Sequence, residues 1–219
     1  MGVAQVAKRL TAIFFMACAV TAAADAQASI PPADQPPAPA NWGGNYQPCE
    51  NKDLIRDAKH MDLGVRIATS NPVIARQFRK AMDFWAGVLD MSWHEDNSNS
   101  CALAVIDGAP DLFTSGMAAR GQFTDRANYQ GWIAFNPKDD ETEDEIFTTA
   151  VHEIGHNLGL HHNASAYSVM YFLSLDGKLL LLSDDLAALR ARHTLRGDRD
   201  DPITVTPPVK VAALQPSVK

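Results

Sequence analysis

The 219-residue sequence has no apolar run long enough to span a bilayer, no surplus of positive charge, only three cysteines and no internal repeat. A permanent span needs about 20 apolar residues, and the stretch from Leu10 to Val20 falls well short, so stable membrane insertion is excluded. With 19 basic against 26 acidic residues the formal charge is −7, which argues against nucleic acid as a partner. The lack of a repeat excludes solenoids and Gly- and Asp-rich calcium-binding arrays. The length suits one domain with a sizeable core.

Lys8 and Arg9 precede the apolar run, and small residues follow it through Ala24-Asp25-Ala26, which is the grammar of a signal peptide over residues 1–26. The expectation is a secreted or periplasmic protein. Lipid anchoring through Cys18 is less favoured, because Phe15-Met16-Ala17 is a poor lipoprotein box. Residues 27–48, with Pro31-Pro32 and Pro36-Pro37-Ala38-Pro39, read as an extended linker. The folded domain is expected over 49–196 and a flexible tail over 197–219. Export leaves Cys49 and Cys101 as an even pair, most simply one disulfide in an oxidising compartment.

Within the domain, Leu63 to Thr69 suggests a first strand, followed by a helix that Asn71 caps and Pro72 begins. Ile74, Phe78, Met82, Trp85 and Leu89 share one helical stripe and predict packing on a sheet. Further strands are expected at Met91 to Glu95, Leu103 to Asp107, Gly116 to Phe123 and Trp132 to Asn136. The acidic run from Asp139 to Glu145 suits a helix N-terminus better than a calcium loop, so structural Ca2+ is not favoured. Ile146, Ala150, Ile154 and Leu158 then line the apolar side of a helix. Ser183 is expected to cap a last helix that has Asp184 and Asp185 in its first turn. Periodicity alone gives the class α+β.

The chemistry concentrates in residues 152–162, His-Glu-Ile-Gly-His-Asn-Leu-Gly-Leu-His-His. On a helix His152 and His156 project from one face with Glu153 beside them, a spacing suited to a metal with a base attached. Gly159 can break the helix and return the chain, so that His162 supplies a third imidazole. The competing reading is an exposed polar helix face. Three protein ligands leave a fourth position for water. Glu153 would act as a base toward that water, whose proton the metal makes easier to lose. His161 competes with His162 for the third place. His60, His94 and His193 have no partner at metal spacing.

This HExxHxxGxxH pattern resembles the zinc signature of metzincin metalloendopeptidases, and Ser168-Val169-Met170-Tyr171 resembles their Met-containing turn. The resemblance implies one catalytic Zn2+ on His152, His156 and His162, with Glu153 as the catalytic base. It implies a polypeptide substrate and favours His162 over His161. Met170 would be a hydrophobic floor beneath the ligands. The implied fold is a twisted, mostly parallel sheet with an antiparallel edge strand, packed on helices, and a small C-terminal subdomain holding the Met-turn and final helix. Substrate would lie antiparallel to an edge strand formed by Gly116, Met117, Ala118, Ala119, Arg120, Gly121, Gln122 and Phe123. Leu173, Leu175 and Leu179 to Leu182 would wall the pocket after the cut, although a plain core segment explains those leucines equally well. Phe172 stands where some metzincins place a tyrosine ligand, and Tyr171 directly after the Met is nearest to the matrixin arrangement. Asn163 departs from the residues that several subfamilies carry after the third His. The surroundings of Cys49, Gln47-Pro48-Cys49-Glu50, do not resemble a cysteine switch.

Two other functions fit the same residues: a non-catalytic envelope protein that keeps a zinc fold, and a processing enzyme with one partner substrate. An intact Glu153 argues against the first, since a structural site needs no base. Oligomeric state is left open.

Overall fold

Strands buried on both faces read as unbroken apolar runs, and two such strands form the centre of this protein. In the computed structural model, which describes residues 49, 60–109, 113, 116–125, 130–172, 175 and 177–207, β3 (Leu103–Asp107) lies parallel to β5 (Gln130–Phe135). Leu103, Val105, Ile133 and Phe135 face one core, and Ala104, Ile106, Trp132 and Ala134 face another. The period-two alternation thus feeds both sides of the sheet. β1 (Met61–Ala68) pairs in parallel with β3 and with β2 (Met91–Glu95). β4 (Ala119–Asp125) runs antiparallel to β5 at the opposite edge, giving the order β2-β1-β3-β5-β4. This is the α+β architecture expected, mostly parallel with an antiparallel edge.

The larger core is closed by helices α1 (Pro72–Val88) and α2 (Glu143–Asn157). Asn71 caps α1 by accepting from the amides of Val73 and Ile74 (2.9 and 3.4 Å), and Pro72 occupies the first turn, where its missing N–H costs nothing. The stripe from Ile74 to Leu89 is buried throughout. α2 begins with a reciprocal capping box between Thr142 and Glu145, and Glu143, Asp144 and Glu145 sit at the positive end of its dipole. Trp85 donates its indole N–H to the carbonyl of Val151 (3.2 Å), joining the two helices.

Cys49 and Cys101 form a disulfide with a Cα separation of 4.9 Å. It packs with Trp132 in the smaller core, on the sheet face away from the helices. After α2 come β6 (Leu180–Leu181), α3 (Ser183–Arg190) and β7 (Ile203–Thr204). The cap of α3 is Leu182 and not Ser183, because the Asp185 carboxylate turns back to accept the Leu182 amide at 2.9 Å. The expected tail is placed as far as residue 207: β7 pairs with β6, and the Val205 amide bonds the Leu179 carbonyl at 2.9 Å. Alternating Ile203 and Val205 give that segment an apolar side to bury. The signal-peptide and linker expectations (1–26 and 27–48), Cys18, Leu173 and the end of the tail lie outside the described residues. Among the described residues no helix is long and apolar enough to cross a membrane.

Candidate metal centre and cleft

Helix α2 buries Ile146, Ala150, Ile154 and Leu158 in the core, and its other side carries His152, Glu153 and His156, each 7 or 8% exposed. Gly155 lets that helix approach the following turn. A Cβ there would meet Met170 Sδ at 2.7 Å and Trp85 at 3.3 Å. The helix then stops at Gly159, whose φ of +93° favours a residue without a side chain. A Cβ there would collide with the Arg192 guanidinium. The chain reverses there and brings His162 back beside His156.

His156 Nε2 lies 3.0 Å from His152 Nε2 and 3.2 Å from His162 Nε2. His152 Nδ1 is 2.7 Å from the carbonyl of Val169, and His156 Nδ1 is 2.9 Å from that of Leu160. A carbonyl only accepts, so each Nδ1 carries the proton and each Nε2 presents a lone pair. Facing lone pairs at this distance repel unless a cation lies between them. Nitrogens around a tetrahedral zinc sit about 3.3 Å apart for Zn–N bonds near 2.05 Å, close to the spacing seen. The donor set therefore fits zinc. Among the described residues this is the group of three able to hold a metal ion, and it contains His162 and not His161.

Burial supports the same protonation states. It pushes the His152 pKa down to about 4 and the His156 pKa down to about 3, each opposed by its carbonyl partner. His162, less buried, is also lowered, first by burial and then by His161. Burial pushes Glu153 up to about 7, against a backbone hydrogen bond from Gly121 on β4. Gly121 has no side chain in the way: a Cβ there would stand 2.8 Å from Glu153 Oε2. His60 bonds Asp90 and Ser92, His94 approaches Asp62 at 3.4 Å and His193 bonds the Leu158 carbonyl, all away from the centre.

The expected edge strand begins later than Gly116. Gly116, Met117 and Ala118 precede β4, which runs on to Asp125. These residues stay tied to the chain after β5, since the Asn136 amide bonds the Ala118 carbonyl in register with the ladder (2.8 Å) and its side-chain nitrogen bonds the Met117 carbonyl (2.9 Å). Pairing starts at Ala119 with Phe135. The two readings of the leucine segment each hold for part of it. Leu179 and Leu181 are core residues, and the cleft is walled by Phe172 and Leu175. Phe172 packs 6.2 Å from His162, ring to ring.

Met170 is fully buried against Gly155. What holds its turn was not read from the sequence. The Asp185 carboxylate, 4% exposed, accepts from Ser168 Oγ (2.8 Å) and Asn163 Nδ2 (3.0 Å), besides the Leu182 amide. Ser168 Oγ in turn accepts the Met170 amide at 2.9 Å, and the Asn163 amide bonds the Met170 carbonyl at 2.8 Å. Asn163, the residue after the third His, is thus the link between that ligand and the turn. An acidic residue at a helix start looks like a dipole partner in sequence, and only the fold shows it buried.

A family model for matrixin peptidases matches residues 59–193, which contain every element from β1 to α3. A search of curated protein sequences gave no significant match. With a mostly parallel sheet, an antiparallel edge and three converging histidines across the matched span, the chain belongs to the matrixin family.

Proposed function

We propose that the protein is a secreted zinc-dependent endopeptidase that cuts internal peptide bonds with Glu153 as general base. The observation that carries this is the convergence of three imidazoles, two of them fixed by backbone carbonyls, beside a buried carboxylate, in a chain of the matrixin family. His152, His156 and His162 would hold the metal. Zinc, when bound, supplies the Lewis acidity that makes water nucleophilic at neutral pH and polarises a carbonyl.

The protein's own groups do the rest. The outer edge of β4 offers main-chain donors and acceptors to an extended peptide, which would lie antiparallel to it as an added strand. Glu153, held beside Gly121 of that strand, takes a proton from water at its carboxylate and returns it to the leaving amine. Phe172 and Leu175 exclude water from one wall of the cleft. Export rests on Lys8, Arg9 and the apolar run after them, and the Cys49–Cys101 disulfide is compatible with an oxidising compartment.

The test uses mature protein with one zinc per chain and a denatured protein as substrate. Cleavage should vanish with chelator and with Glu153→Ala while the zinc remains in the variant. Cleavage persisting in Glu153→Ala would refute the mechanism. Mass spectrometry of exported protein should find Gln27 at its N-terminus.

A further inference from the structure

The cleft has a charged arm. Along α2, Glu145, Thr149, His152 and His156 recur at spacings of four, three and four and all line it, so they form one stripe. Thr149 lies about 4.5 Å along the helix axis from His152, at 1.5 Å per residue. Thr149 Oγ1 donates to Glu141 Oε1 at 2.6 Å, which holds the Glu141 carboxylate in that arm. Glu141 is only partly exposed, and burial raises its proton affinity, so an incoming cation relieves a standing desolvation cost. Asp139 and Asp140 stand at the mouth. The countercharge in the lining is Arg120, which acts on Glu153 and lowers its pKa.

The arm has a direction relative to substrate. Gly121 marks the reactive centre on β4 because it touches Glu153. The arm lies toward the start of that strand, since Asn136, shortly before Asp139, bonds the carbonyls of Met117 and Ala118. A peptide antiparallel to β4 therefore sends the residue after the scissile bond into the arm. Met117, Phe172 and Leu175, which line the same cleft, offer apolar surface for a side-chain stem, and Glu141 an anionic end for its head. We propose that this arm is a specificity pocket for lysine or arginine, received by Glu141, so that the enzyme cuts on the amino side of basic residues. This deepens the endopeptidase reading and rests on it.

The test has two arms. Peptidyl hydroxamates that differ only in lysine or norleucine at the pocket position are titrated against the zinc-loaded mature protein. Cleavage sites are mapped separately on a denatured protein. Lysine should bind about tenfold more tightly than norleucine, Glu141→Gln should erase that ratio, and mapped cuts should precede lysine and arginine. Equal binding by the parent protein, or cuts before leucine and phenylalanine, overturns the proposal and leaves the endopeptidase reading intact. Lysine-selective binding without any cleavage supports the pocket and defeats the endopeptidase reading. The parent's own ratio decides even if Glu141→Gln fails to fold.

Discussion

Replacing Gly121 with alanine puts a methyl group 2.8 Å from Glu153 Oε2, where ordinary contacts begin at 3.4 Å. The carboxylate must retreat by about 0.6 Å, into the open cleft, and its hydrogen bond from Gly121 lengthens. A misplacement near 1 Å at a catalytic group costs about a hundredfold in rate, so a loss of roughly ten- to a hundredfold in kcat is expected. Because the carboxylate has room to move, stability should fall by no more than about 1 kcal/mol, at the low end for an overpacked site. A fluorogenic peptide gives kcat and KM, metal analysis gives zinc per chain, and a thermal scan gives Tm. The expected pattern is low kcat, unchanged KM and full zinc. A variant within twofold of the parent kcat, with zinc in place, would refute the claim that the bare Gly121 backbone sets the position of Glu153.

Gly155→Ala should behave differently, because its methyl would meet Met170 Sδ at 2.7 Å between buried groups with no cleft to retreat into; a loss of about 1–3 kcal/mol is expected in urea unfolding, and an unchanged midpoint would contradict it. In metal-free protein, His152 and His156 have folded pKa values (about 4 and about 3) below the unfolded 6.5, so the unfolded state binds more protons and stability falls as pH drops below 6.5. Glu153, raised from 4.5 to about 7, binds more protons when folded and opposes this between pH 7 and 4.5; two histidines against one carboxylate leave a net loss of about 1 kcal/mol per pH unit below pH 6. Urea midpoints of the metal-free protein that hold steady from pH 6 to pH 5 would show that the imidazoles are not buried as described. Replacing Cys49 and Cys101 together with serine opens a loop spanning 52 residues, and chain entropy predicts a loss of about 4 kcal/mol at 25 °C; a midpoint equal to the parent's would show that the bridge contributes little.

Much of the architecture was legible because local signals agreed with each other. Asn71-Pro72 and the stripe from Ile74 to Leu89 announce α1, and β2 and β3 fall at the expected residues. The three-histidine group is readable for the same reason, since helical spacing and Gly159 together determine where the imidazoles go. What escaped depends on contacts distant in sequence. Asn136 ties down the approach to β4 through the Met117 carbonyl, and Asp185 supports a turn that ends fifteen residues earlier at Met170. The leucines of 179–182 were ambiguous, because a core segment and a pocket wall have the same composition, and burial alone separates Leu175 from Leu179 and Leu181. The side chain of Thr149 points to a carboxylate eight residues upstream, a pairing without a periodic signature.

The outer side of β4 has a colloidal consequence. Among the described residues β4 has no outer neighbour, and such a border strand is a template for any extended chain, including another molecule of the same protein. Here that border starts beside Asp139 and Asp140 on a chain of net charge −7. Like copies therefore repel where their backbones would otherwise zip together, and the repulsion weakens as salt rises beyond physiological strength. The acids that bias the cleft toward cationic chains thus also keep neighbouring copies from occupying it.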